Sequence, residues 1–241
     1  MIRKLLFLCC LCYGLSLGAQ QVFDTHGTLL RSDTIQKQIY LSFTGHEYDE
    51  GFAHVLQVLE KHRVKASFFL TGDFVRNHKK SVKKWSLAGH FIGAHSNKHL
   101  LYNDWGNRDS LLYSPNEIKS DIADNLMELK TLEITPSYFM PPYEWYNAEV
   151  VQLAASLGQT TVNFSPGTSS NADYTTPEMT NYMSSPQILE SIYAFEREQG
   201  MNGFHLLIHP GTSPQRKDKL YLHLETLIQY FKEKGYKFGR F

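Results

Sequence analysis

Between residue 39 and the C-terminal end, short apolar runs alternate with segments of helical periodicity, and that alternation constrains the fold more than any other feature. Ile39–Phe43, Val64–Leu70, Phe91–Ala94, Ser137–Met140, Thr160–Phe164 and Phe204–Ile208 are four to seven residues long and rich in β-branched or aromatic side chains. Such runs read as buried strands. Between them, Phe52, Val55, Leu56 and Leu59 share one helical stripe, and Ile118, Ile122, Leu126 and Leu129 share another. Ser114-Pro115-Asn116-Glu117 has the form of a capping box with proline at the first helical position, opening a helix that runs through Leu132. Further helices are expected from His78 to Leu87, from an Asn147 cap to Leu157, from Pro186, and from about Lys219 to Lys234. Strands that alternate with helices throughout imply a parallel β/α architecture, whose chemistry collects at the carboxyl ends of the strands.

The first nineteen residues read as an address. Arg3 and Lys4 precede an apolar stretch, Leu5 to Leu17, and a small-residue exit at Gly18-Ala19, the form of a secretory signal peptide. The stretch is too short for a permanent membrane anchor. An exported protein is therefore expected, periplasmic or extracellular, with no transmembrane segment in the mature chain. All three cysteines (Cys9, Cys10 and Cys12) fall inside this leader, so the mature chain is expected to fold without disulfides. Any metal site must then use histidines and carboxylates. Without the leader the chain carries 22 basic and 24 acidic residues, and nothing in that balance asks for nucleic acid. Residues 20–37 look like an N-terminal arm with a hairpin turning at His26-Gly27, and residues 38–241 like one α/β domain.

The chemistry centres on Gly93–Asp104. His95 and His99 are four apart, which on a helical turn points both imidazoles the same way, the first half of a common zinc site. The ordinary reading is a pair of surface histidines. The strand-like run Phe91–Ala94 just before them favours the functional one.

With these residues in view, the order of motifs resembles the polysaccharide deacetylases, the NodB-homology domains of carbohydrate esterase family 4, over about residues 38–241. His95-Ser96-x-x-His99 matches the family's histidine motif, after the family-like Gly89-His90-Phe91-Ile92-Gly93. Met140-Pro141-Pro142-Tyr143 resembles its Arg-Pro-Pro-Tyr motif, Leu207-Ile208-His209 its C-terminal leucine-histidine motif, and Lys65–Gly72 its second strand. The resemblance implies a distorted (β/α) barrel of about seven strands. It also implies a divalent metal, with zinc expected, and an acetylated glycan as substrate.

Two departures stand out. Where the family has Thr-Phe-Asp-Asp-Gly, this chain reads Ser42-Phe43-Thr44-Gly45-His46, so neither aspartate is present in register, and the family's arginine is Met140. The resemblance makes His95 and His99 metal ligands, with a third ligand from the His46–Asp49 stretch, His46 foremost. It makes His209 the general acid, an imidazole suited to proton transfer near neutral pH. Glu47 is the expected base, with Asp49 and Glu144 the next candidates. Tyr102, Trp105, Pro142, Tyr143, Trp145, Asn163 and Asp173 lie on loops expected at the rim and suit sugar rings. The expected function is a metal-dependent hydrolase that removes N- or O-linked acetyl groups from a polysaccharide or oligosaccharide. Two alternatives stay open: a non-catalytic carbohydrate-binding relative, suggested by the missing aspartates, and a glycoside hydrolase using a carboxylate pair such as Glu47 and Glu144.

Overall fold

The computed structural model describes residues 20–241, so the expected signal peptide lies outside the described residues. The central strand is β3 (Gln38–Gly45), and every residue from Leu41 to Gly45 is buried. β8 (Phe204–Ile208) pairs with it in parallel on one side and β4 (Ser67–Leu70) on the other. The sheet continues in parallel through β5 (Phe91–Ala94), β6 (Tyr138–Phe139) and β7 (Thr160–Thr161). A short parallel strand, β9 (Lys237–Gly239), pairs with the first residues of β3.

The residues that read as an arm close the barrel. β1 (Val22–Phe23) and β2 (Leu29–Arg31) form the expected hairpin, its turn held by the Asp24 carboxylate, which accepts from the backbone N–H groups of His26 and Thr28. Gly27 sits at φ +89°, a conformation that glycine adopts without steric cost. β2 pairs antiparallel with β8, and its Leu29 bridges Val162 just past β7. Six parallel strands and this antiparallel one complete the ring, the distorted (β/α) barrel expected from the motifs.

Period-two alternation separates the two faces of the ring. On β4, Phe68 and Leu70 face the helices while Phe69 faces the interior, where it joins Leu29, Met140, Val162 and Leu207. The interior is a filled core, so the chemistry is confined to the strand ends. On β8, His205 and Leu207 share the inner face with His209. His205 lies at the far end of the strand, buried between Ser32 Oγ at 2.9 Å and the Asn163 carbonyl at 2.8 Å. Burial lowers its pKa to about 4, so it stands as a neutral core histidine.

The helices pack on the outer face. α1 (Phe52–Lys61) buries Phe52, Val55, Val58 and Leu59. The helix expected at 78–87 is α3 (Lys79–Leu87); a further short helix, α2 (Gly72–Asn77), capped by Thr71, precedes it, with His78 at φ −126° between the two. α4 (Pro115–Lys130) carries the expected capping box of Ser114 and Glu117. α5 (Ala148–Ala155) is capped by Asn147, α6 (Ser185–Gln199) by Ser184 with Gln187, and α7 (Leu224–Glu233) follows a short 3-10 turn. Among the described residues no helix is long and apolar enough to cross a membrane.

Candidate active site

A cleft of about 410 Å³ opens at the carboxyl ends of β3, β5, β6 and β8. β3 delivers His46, Glu47 and Tyr48, β5 delivers His95 and His99, β6 leads to Tyr143 and Glu144, and β8 ends at His209.

On one wall the histidines cluster, though by a loop and not the helical turn that their spacing suggested. Ser96 and His99 take left-handed backbone angles, φ +67° and +55°, and bring the His95 and His99 rings to 5.0 Å between centroids. The loop hangs from α4: the His95 N–H donates to Asn125 Oδ1 and the Lys98 N–H to Asp121 Oδ1, while Asp121 Oδ2 accepts from Tyr102 Oη at 2.7 Å. Asp121 and Asn125 are braces that the sequence reading missed. Their signal was present, since they fall on the apolar stripe with Ile118, Ile122 and Leu129. The His95 Nδ1–H donates to the Met140 carbonyl at 2.7 Å, which leaves Nε2 with a free lone pair. Burial lowers the pKa of His95 to about 3 and, with the neighbouring imidazoles, drives that of His99 well down. Both rings are neutral, as ligands must be.

A third ligand is not in position. His46 stacks on His99 with ring planes only 13° apart and centroids 4.3 Å apart. An imidazole binds an ion in its own plane, so two nearly parallel rings cannot share one. Gly45 offers no route to a carboxylate, because a Cβ there would lie 2.7 Å from Leu70 Cδ2 and point into the helix-facing core. The residue facing the cleft is Thr44. Among the described residues no group of three or more histidines, cysteines, aspartates or glutamates is gathered to hold a metal. The three-ligand site expected from the sequence does not fit this arrangement; the His95–His99 pair alone does. Met140 lends only its carbonyl, its side chain being buried in the barrel interior.

The opposite wall is fully braced. Asp173, buried in the 3-10 turn Ser170–Tyr174, accepts from His209 Nδ1–H at 2.6 Å and from the His209 backbone N–H at 2.8 Å. Burial by itself would lower the His209 pKa, but the charge and hydrogen bond of Asp173, with the charge of Glu144, outweigh it and raise it. Asp173 therefore stands behind the imidazole instead of among the sugar-binding groups. Glu144 lines the cleft half-buried, and burial pushes its carboxyl up to about 7, against the pull of His209. Tyr143 and Glu144 both have positive φ, +58° and +53°, and Asn163 Nδ2 donates to the Glu144 carbonyl at 3.0 Å. A left-handed pair of non-glycine residues at a cleft is backbone strain concentrated at a functional position.

The remaining expected residues divide. Glu47 is exposed and lines the cleft. Asp49 does not: it is exposed and faces His78 Nε2 at 3.8 Å. Its neighbour Glu50 sews the first loop to the segment after β8, accepting from the Thr212 N–H at 3.0 Å and from Lys219 Nζ at 2.8 Å. Trp105 and Tyr143 stand exposed at the rim, their rings edge to face. Tyr102 is buried under the histidine loop, Pro142 is buried, Asn163 is a buried brace, and Trp145 donates its Nε1–H to the Asp104 carbonyl, so none of these four lines the cleft. Tyr174, Thr176 and Met179, in the segment between β7 and α6, supply a further wall.

The sequence profile of the polysaccharide deacetylase family matches residues 31–162. The uncharacterized protein YlxY of Bacillus subtilis is 31% identical over 196 residues, 81% of this chain and 52% of that protein. The peptidoglycan-N-acetylmuramic acid deacetylase PdaA of Bacillus subtilis is 33% identical over 149 residues, 60% of this chain and 52% of that protein. The chain thus spans about half the length of these curated relatives. Among solved structures, a CE4 family pseudoenzyme from Bacillus anthracis superposes with a TM-score of 0.71 at 23% identity, covering 90% of this chain and 68% of that one. At that identity the likeness speaks for the fold.

Proposed function

The chain belongs to the polysaccharide deacetylase family, and from that premise we propose that it hydrolyses acetyl groups on a glycan held in this cleft. The observation that carries the reading is the braced wall, where a buried aspartate raises one imidazole and burial raises one carboxyl, both facing the same space. Groups tuned toward neutrality from their usual ranges suit an acid and a base. Glu144 takes a proton from the attacking water, whose oxygen bonds to the acetyl carbon. His209 gives its proton to the nitrogen or oxygen that leaves, and Asp173 keeps that proton in place. Acetate and a free amine or hydroxyl are the products. Trp105, Tyr143 and Tyr174 offer ring faces to the sugar. Export, proposed from the leader at residues 1–19, would put the protein beside polymers outside the cytoplasm. No step is assigned to a metal ion, because only two imidazoles are placed to hold one.

Thr44, Gly45 and the stacked His46 favour a second reading, a glycan-binding relative that does not turn over. Acetate release from N-acetylated and O-acetylated oligosaccharides, assayed with a chelator and with added zinc, separates the two. Turnover is expected, and His209→Ala should lower it about a hundredfold or more. Binding without acetate release under either condition would leave the second reading in place.

A further inference from the structure

Apart from His209, whose proton is paired with Asp173, the charge-bearing side chains that line the cleft are carboxylates. Glu47 is exposed on its edge and Glu144 lies deeper, while no lysine or arginine lines it among the described residues. Three cations near the cleft are engaged elsewhere. Arg216 is buried and donates to the Thr175 carbonyl, Ser185 Oγ and the Asp218 carbonyl. Lys219 Nζ is held by Glu50 and Thr212. The Arg108 guanidinium lies 3.7 Å over the Trp145 ring. An acidic sugar would therefore bring its carboxylate beside Glu47, with the one cation lining the cleft, His209, already paired with Asp173. An amino sugar with a free ammonium would meet the opposite situation. Glu47 can pair with it, and the exposed faces of Trp105, Tyr143 and Tyr174 favour a cation over a ring.

We infer that the cleft selects glycans by charge, taking neutral chains and, more tightly, chains that already carry free amino groups, and rejecting chains with acidic groups, with Glu47 as the residue that reads the charge. This rests on the glycan-directed reading above but not on turnover. A chain already partly deacetylated would then be the preferred ligand.

The test is equilibrium binding of the whole protein to three β-1,4-linked tetrasaccharides of one backbone: fully N-acetylated, half N-deacetylated, and one bearing carboxylates. Calorimetry at low and at physiological salt gives the order. The half-deacetylated chain should bind about two- to fivefold more tightly than the neutral one at low salt, the range of an exposed charge pair, and the ratio should shrink with salt. The carboxylated chain should bind weakest. Glu47→Gln should bring the ratio of the first two toward one, since a glutamine keeps the shape and removes only the charge. Equal binding of all three, a preference for the acidic chain, or an unchanged ratio in Glu47→Gln would overturn the inference and leave the glycan reading standing. Failure of all three to bind would overturn both. The predicted order without acetate release would uphold the inference and remove only the catalytic step.

Discussion

On one wall of the cleft three imidazoles crowd together with only the exposed Glu47 near them; on the other, a single imidazole sits between two carboxylates. The side chains are alike and their titration goes opposite ways. His46, His95 and His99 are all pushed toward the neutral form, first by burial and, for His95 and His99, also by neighbouring imidazoles. His209 is buried too, yet Asp173 and Glu144 hold its proton. Burial is common to both walls, so the partner decides the sign. The first wall resembles a ligand set short of its last member, and the second an acid–base set that is complete.

The strongest way to break this contrast is to take the partner from the second wall. Asp173→Asn leaves His209 with burial and without its hydrogen-bonded carboxylate, only the weaker pull of Glu144 remaining, so its pKa should fall. The proton needed for the leaving group would then be lost at lower pH, and the basic limb of the rate profile should move down. At neutral pH turnover should drop by about tenfold to a hundredfold. A profile that keeps its basic limb in place would show that Asp173 does not tune His209.

A smaller effect should come from supplying the first wall with what it lacks. Thr44 faces the cleft, so Thr44→Asp adds a carboxylate beside His95 and His99, and zinc affinity should rise by about tenfold or more. Gly45→Asp is the contrasting variant, because its side chain would enter the core and should cost stability without gaining zinc. Zinc retained after dialysis reads both. Equal retention in Thr44→Asp and the parent chain would mean that the wall is not a ligand set missing one member.

The smallest expected change is in stability. Glu144 holds φ +53°, which costs a residue with a Cβ about 1–2 kcal/mol. Glu144→Gly removes that strain but loosens the unfolded chain by about 0.4–1 kcal/mol. A net gain of roughly 0.5 kcal/mol is left. Urea denaturation should show a slightly more stable protein that has lost turnover. A destabilised variant would mean that the glutamate contributes to the fold instead of being tolerated by it.

Much of the fold was legible because its signals are local. The Ser114–Glu117 box, the Asn147 cap and the runs that became β3, β5 and β8 depend on a few neighbouring residues, and they lie close to where the sequence placed them. The short helix α2 before His78 and the two-residue lengths of β6 and β7 were not legible, since pairing partners and packing set where a strand or helix stops. Within the site, the motifs singled out His95, His99 and His209, with Glu144 as a secondary candidate base, and the fold brings these four to one cleft. The motifs could not tell Tyr102 from Trp105, or Asp173 from Asn163, because loop composition carries no information on which way a side chain turns.

The sequence by itself determined the alternation of strand and helix, the absence of cysteine after residue 12, and which ionisable groups stand at strand ends. These follow from periodicity and composition, which are properties of the chain in order. Only the tertiary structure decided that β2 closes the ring, that His46 lies flat against His99, and that Asp173 stands behind His209. Each of these joins residues tens of positions or more apart, or turns on the relative angle of two rings. A pKa and a ligand geometry depend on such distances and angles.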